Sequence, residues 1–224
     1  MEQANDRKTL QVAILLYDGM TALDAIGPYE VLQAPGLKTD VRFVATERGV
    51  KRTDFGKLRL TADYSLDETP RPDILLIPGT PYPQAVMGDP KVIEWITQAH
   101  QTTKWTTSVC TGALALASAG VLRGLQATTH WLALDALKQF GAIPTKERVV
   151  RQGKVFTAAG VSSGIDMALT LVAEEFGAEA AQLTQLLIEY DPHPPFNAGS
   201  PDKAPSQIVA AARERFAKLQ TTAE

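Results

Sequence analysis

The chain has one cysteine, three histidines and no run of apolar residues long enough to cross a bilayer. A single cysteine excludes an internal disulfide framework, and histidines scattered at positions 100, 130 and 193 offer no zinc-ligand spacing, so no metal is expected. Charge of neither sign dominates. The formal net charge of -3 leaves no electrostatic footprint for nucleic acid or an anionic membrane surface. The polar start, Met1-Glu2-Gln3-Ala4-Asn5-Asp6-Arg7-Lys8, lacks the apolar core of a signal peptide. These absences predict a cytoplasmic protein whose partner is a small molecule.

What remains is enough for one sizeable core. The 224 residues read as a single domain, with a polar lead at 1–9 and a proline-rich arm at 190–204, and neither a repeat nor an internal linker. Leu10 to Tyr17 is a near-continuous apolar run stopped by Asp18-Gly19, the pattern of a buried parallel strand. Val41 to Thr46 and Asp73 to Ile77 read as further strands, with a strand or hairpin near Leu58 to Tyr64. Pro90 to His100 spaces Val92, Trp95 and Ile96 on one helical face. Pro28 suits a first turn, so the helix after the first strand is predicted to start near Gly27, with Asp24 in the loop before it. Arg148 to Ala158 suggests two strands around Gln152-Gly153, followed by helices over Ile165 to Phe176, Ala178 to Glu189 and Pro205 to Leu219. Strands alternating with helices predict an α/β sandwich on a largely parallel sheet, whose site lies at the carboxyl ends of the strands.

The lone cysteine sits in Lys104-Trp105-Thr106-Thr107-Ser108-Val109-Cys110-Thr111-Gly112-Ala113-Leu114, β-branched and aromatic before it, strongly helix-forming after it. This is a strand-to-helix turn, the position of a nucleophile elbow. Unpaired N–H groups of the helix start predict a stabilised thiolate and a lowered pKa, and they offer donors for a developing negative charge. A small buried hydrophobe is the plain alternative for Cys110. Asp24 and the Pro78-Gly79 turn fall at two other strand ends. A carboxyl group beside a thiol supplies what acid and nucleophilic catalysis need together, whereas a helix cap ahead of Gly27-Pro28 is the structural reading of Asp24.

Ser108-Val109-Cys110-Thr111-Gly112, Ala127-Thr128-Thr129-His130-Trp131, Asp24-x-x-Gly27-Pro28 and Ile77-Pro78-Gly79 resemble the DJ-1/PfpI superfamily, specifically its isonitrile (isocyanide) hydratase branch. Gly164-Ile165-Asp166 and the arm Pro194 to Asp202 are similar to that branch too, and the resemblance runs from about Val12 to Phe216. It implies a flavodoxin-like three-layer sandwich, a homodimer, and cofactor-free hydration of an isocyanide to an N-substituted formamide. Cys110 would then be the nucleophile, Asp24 the general acid and Thr111 a catalytic donor. Gly79, Thr80, Gly112 and His130 would line the substrate or hold the charged atoms. Cys110 and Asp24 are expected to titrate as a unit, because a carboxylate raises the thiol pKa while a protonated Asp24 bonded to the thiolate lowers it.

Thr80, followed by Pro81, stands where the family usually has a second glycine, which predicts a strained or rebuilt turn if that residue needs a positive φ. His130, twenty residues beyond Cys110, suggests a Cys-His dyad, yet no histidine directly follows the cysteine as in the protease-like members, which argues for a structural or pocket-adjacent role. Two other readings compete: glyoxalase-like carbonyl chemistry, in which a glutamate usually takes the place of Asp24, and a non-catalytic redox or ligand sensor of the same fold. A regulator would need a DNA-binding region, and one final helix is not such a module.

Overall fold

The computed structural model describes residues 8–221, so most of the polar lead lies outside the described residues. The chain opens with β1 (Leu10–Leu15), α1 (Ala22–Leu32) and β2 (Thr39–Ala45). A hairpin of β3 (Gly49–Arg52) and β4 (Arg59–Ala62) stands apart from the main sheet, before the short β5 (Tyr64–Ser65). Then come β6 (Ile74–Ile77), α2 (Gln84–Met87), α3 (Pro90–Thr102), β7 (Trp105–Val109) and α4 (Gly112–Ser118). β8 (Gln126–Ala127) pairs with β9 (Ile143–Pro144) around a 3-10 helical stretch, Trp131–Phe140. The chain continues through β10 (Val149–Gln152), β11 (Val155–Ala158), α5 (Ser163–Phe176), α6 (Ala178–Leu187) and α7 (Ser206–Thr221).

Seven strands form the main sheet in the order β10-β11-β7-β6-β1-β2-β5. Every pair is parallel except β10 with β11, which turns tightly through Gly153 at φ 59°. β1, β6 and β7 lie in the middle, and Val12 to Leu15, Ile74 to Ile77 and Thr106 to Val109 are fully buried. β6 and all but Gln11 of β1 are apolar because helices cover both faces, whereas β7 buries Thr106, Thr107 and Ser108. From β1 the chain winds one way to β2, and from β6 it winds the other way to β7. With right-handed crossovers the two sets of helices fall on opposite faces, which makes this a flavodoxin-like α/β fold. The reversal between β1 and β6 opens a crevice at the carboxyl ends of those strands, the place where doubly wound sheets bind ligands.

One prediction fails here. α1 begins at Ala22, not near Gly27, and carries Pro28 inside it. Pro28 has no N–H to give to the carbonyl four residues back, that of Asp24, yet the helix continues through it to Leu32. Asp24 therefore lies in the first turn of the helix. Close packing follows from small residues: a Cβ on Gly27 would come within 3.0 Å of Ile165 Cγ1, and one on Gly164 within 3.0 Å of Val109 Cγ2 and 3.2 Å of Pro28 Cγ. These two glycines let α1, α5 and the end of β7 meet.

Candidate active site

Cys110 follows β7 directly and sits at φ 56°, a left-handed conformation that side chains rarely adopt. The surrounding structure over-determines it. Its N–H donates to the carbonyls of Ala158 and Ala159, at 3.1 and 2.9 Å, and its own carbonyl accepts from the Thr129 hydroxyl at 2.7 Å. Backbone strain of this kind costs on the order of 1–3 kcal/mol and is kept where the side chain must be aimed. Val161, whose N–H points at the Cys110 sulfur, is held at φ 24°.

Asp24 is fully buried. Its Oδ2 accepts from the Gly79 N–H at 2.8 Å, while Oδ1 has no hydrogen-bond partner of ordinary geometry among the described residues. The side chain does not cap its own helix: Thr21 is the cap residue, and its N–H donates to the Gly79 carbonyl at 2.8 Å. Burial pushes the Asp24 carboxyl from its ordinary 3.8 up to about 7, opposed by the Gly79 N–H and the Cys110 thiol and aided by the Asp54 carboxylate. A carboxyl half-protonated near neutrality, with Oδ2 already accepting, carries its proton on Oδ1. That oxygen is then a donor.

The thiol behaves oppositely to the sequence expectation. Burial first, and then Asp24, raise its pKa above the ordinary cysteine value, while the N–H groups of Thr111 and Val161 pull it down by less. The helix start does reach the sulfur, but a short helix cannot outweigh loss of solvent and an adjacent carboxyl. The pair therefore shares its protons, and the first one lost leaves either a carboxylate beside a thiol or a carboxylic acid beside a thiolate.

The turn after β6 shapes this arrangement. A Cβ on Gly79 would lie 2.6 Å from the Thr111 nitrogen and 2.8 Å from both Cys110 Cβ and Thr111 Oγ1, so only glycine lets the two strand ends touch. A Cβ on Gly112 would collide with the Ile77 carbonyl. Thr80 is not strained; it is absent from the left-handed residues, which among non-glycines described are Cys110, Val161 and Glu189. It is buried, its hydroxyl donates to the Gly19 carbonyl at 2.7 Å and accepts from the Tyr82 N–H at 3.0 Å. Thr80 N–H donates to Thr111 Oγ1 at 2.7 Å, and Thr111 Oγ1 donates back to the Thr80 carbonyl at 2.6 Å. The Gly79 N–H, the Thr80 N–H and the Thr111 hydroxyl are thus committed within the protein, and the Thr111 backbone N–H faces the sulfur.

His130 does not pair with the cysteine. Its Nδ1 accepts from the Leu132 N–H at 3.4 Å, its ring stacks on Phe216 of α7 at 6.3 Å, and burial lowers its pKa. A Cβ on Gly160 would lie 2.8 Å from His130 Cδ2, so the ring backs the loop that carries Val161. Sequence reasoning missed Tyr17, whose buried hydroxyl donates to the Pro78 carbonyl at 2.7 Å, and Thr129. The signal for Thr129 was available in Ala127-Thr128-Thr129-His130; Tyr17 read only as the end of an apolar run.

A switch-point crevice in a doubly wound sheet, with a strained thiol facing a half-protonated carboxyl, defines an α/β protein built around a cysteine elbow. The profile of the DJ-1/PfpI family matches residues 10–174, and the chain belongs to that family. It is 43% identical over 216 residues to the isonitrile hydratase of Pseudomonas putida, covering 95% of this chain and 93% of that protein. The crystal structure of a ThiJ/PfpI family protein from Pseudomonas syringae superposes with a TM-score of 0.91 at 35% identity, covering 97% of this chain and 91% of that one. A transcriptional regulator of the helix-turn-helix type from Pseudomonas aeruginosa, CdhR, is 28% identical over 128 residues, 55% of this chain and 37% of the regulator. Among the described residues no helix is long and apolar enough to cross a membrane, and no three His, Cys, Asp or Glu side chains cluster as a metal site would need.

Proposed function

We propose that the protein hydrates an isocyanide to the N-substituted formamide without a cofactor, with Cys110 as nucleophile and Asp24 as general acid. The observation that carries this reading is the unpartnered, protonatable Oδ1 of Asp24 beside the Cys110 thiol. The terminal carbon of an isocyanide accepts both a nucleophile and a proton, so the two groups have to converge on one atom. The similarity to an isonitrile hydratase over nearly the whole chain supports the same chemistry.

In the active tautomer Asp24 is a carboxylic acid and Cys110 a thiolate. Sulfur bonds to the terminal carbon while Oδ1 delivers its proton to that carbon, giving a thioimidate, R–N=CH–S–Cys110, and a carboxylate. Water then adds to the same carbon, giving one proton to Asp24, which passes it to the nitrogen. The tetrahedral adduct collapses as its hydroxyl proton returns to Asp24 and the C–S bond breaks, releasing R–NH–CHO and restoring the thiolate and the acid. The substrate is neutral, which suits a desolvated site whose resting charge is at most one negative. The N–H groups of Thr111 and Val161 steady the sulfur while it carries charge. Thr80, Gly79 and Gly112 act by fixing the turn, and His130 by backing the Gly160 loop.

The reaction is a cofactor-free lyase-type addition. A homodimer accords with the exposed apolar side chains of Leu183, Leu186, Leu187, Phe196 and Ile208 on α6, the arm and α7. The test is turnover of a simple aryl isocyanide, followed by absorbance, in the wild type and in Cys110→Ala. Formamide production that disappears in a folded Cys110→Ala protein is the expected result. An active Cys110→Ala protein, or a folded wild type without turnover, refutes the assignment.

A further inference from the structure

We propose that Tyr17 is a positioning residue for the Asp24 carboxyl, acting through the Pro78–Gly79 peptide. The phenol hydroxyl donates to the carbonyl oxygen of Pro78 at 2.7 Å, and the N–H at the other end of that same peptide, on Gly79, donates to Asp24 Oδ2 at 2.8 Å. One amide group thus stands in series between two side chains. A donor on the carbonyl oxygen draws electron density from the amide nitrogen, and the N–H becomes a stronger donor to the carboxyl beyond it.

The placement suits this role. Tyr17 lies two residues past the end of β1, and Pro78 follows β6 directly, so the phenol bridges the carboxyl ends of the two strands between which the sheet reverses. The side chain is nine-tenths buried, and burial together with the negative charges of Asp24, Cys110 and Asp54 holds its hydroxyl in the protonated form. It remains a donor across the whole working pH range. Tyr17 touches no reacting atom; its effect is felt in which of Asp24 and Cys110 holds the shared proton. The titratable groups that act on Asp24 are the Cys110 thiol, the Asp54 carboxylate and, through the peptide, Tyr17.

This inference rests on the reading of Asp24 and Cys110 as one protonic pair, and its test keeps the two apart. Because Cys110 is the sole cysteine, alkylation by iodoacetamide read by intact mass reports on it alone. The rate of alkylation is measured against pH in the wild type, Tyr17→Phe, a protein with 3-fluorotyrosine in place of Tyr17, and Asp24→Asn. In the wild type the rate rises through the first ionisation of the pair, near pH 7, to a plateau. Tyr17→Phe weakens the Gly79 donor and makes the carboxylate less favourable. Its first inflection moves up by about half a pH unit, and its plateau rises because more of the singly ionised pair is thiolate. The fluorinated phenol, a stronger donor, moves both in the opposite direction, which a merely structural role would not do. An unchanged inflection in both Tyr17 replacements, with the inflection lost in Asp24→Asn, overturns the role of Tyr17 alone. An inflection that stays near pH 7 in Asp24→Asn overturns the pair itself, and the proposal with it.

Discussion

Asp24→Asn should stabilise the folded protein at alkaline pH while removing its acid. Unfolded, the carboxyl ionises with its ordinary pKa of 3.8; folded, burial holds it to about 7. Between those values the folded state binds a proton that the unfolded state has lost, so stability falls as pH rises through the window. Well below 3.8 both states are protonated and nothing is lost; above about 7 the full penalty is present. At about 1.36 kcal/mol per pH unit the interval amounts to roughly 4 kcal/mol. Asparagine does not ionise, but its amide nitrogen takes the place of Oδ1, which has no acceptor of ordinary geometry beside it. That group costs about 1–3 kcal/mol at every pH. Urea unfolding of both proteins at pH 4 and pH 8 separates the two effects. The variant should be the less stable one at pH 4 by about 1–3 kcal/mol, and its relative stability should improve by roughly 3–4 kcal/mol on going to pH 8. Stability curves that run parallel across this range would refute the claim that Asp24 is held protonated by its burial.

Gly79→Ala places a methyl group 2.6 Å from the Thr111 nitrogen and 2.8 Å from Cys110 Cβ; denaturation should show a loss of about 1–3 kcal/mol. Because the same turn anchors Asp24, turnover of an aryl isocyanide should fall by about 100-fold or more in the fraction that folds. The pH dependence of kcat/KM should rise through about 7 as the pair loses its first proton, and this limb should vanish in Asp24→Asn. His130→Gln should keep activity within a few-fold, since the ring bonds Leu132 and stacks on Phe216. A loss of about 100-fold or more, the size expected for a missing general base, would bring His130 into the chemistry.

The layers of the fold were legible because the middle strands of the sheet carry their own burial: Val12 to Leu16 and Ile74 to Ile77 are apolar without alternation, and glycine or proline follows each of them. The start of α1 was not legible. Proline inside a helix is read as a break, and only the tertiary contacts of Gly27 and Pro28 with Ile165 and Gly164 show why the helix continues through it. The strand-to-helix turn at Cys110 was readable from composition on either side of it, and Asp24, read at another strand end, lies beside the thiol. The direction of the thiol pKa was misread, because the helix start is a local property of the sequence while desolvation belongs to the assembled site. At Thr80, where a strained or a rebuilt turn was expected, the strain is absent. A residue judged by the glycine it replaces looks strained, whereas here its hydroxyl bridges Gly19 and Tyr82 and its peptide locks Thr111.

The position of Asp24 inside α1 also explains why the site tolerates a buried carboxyl. In the first turn of a helix the backbone N–H groups favour a negative charge, yet the side chain turns away from them and takes its one backbone hydrogen bond from Gly79. Had Asp24 capped its helix with two N–H donors, its pKa would have stayed low and it would have held no proton to give. A single donor on Oδ2 orients the group without over-stabilising the anion, and the unpartnered Oδ1 keeps the acid form available. The same balance governs Cys110. Two backbone donors reach the sulfur, enough to support a thiolate once Asp24 is protonated, and too few to ionise it while Asp24 is charged. Burial sets the level of both groups, and the donors on each bias which of the two holds the shared proton. A variant that adds or removes one donor on either group should move the tautomer ratio before it moves the fold.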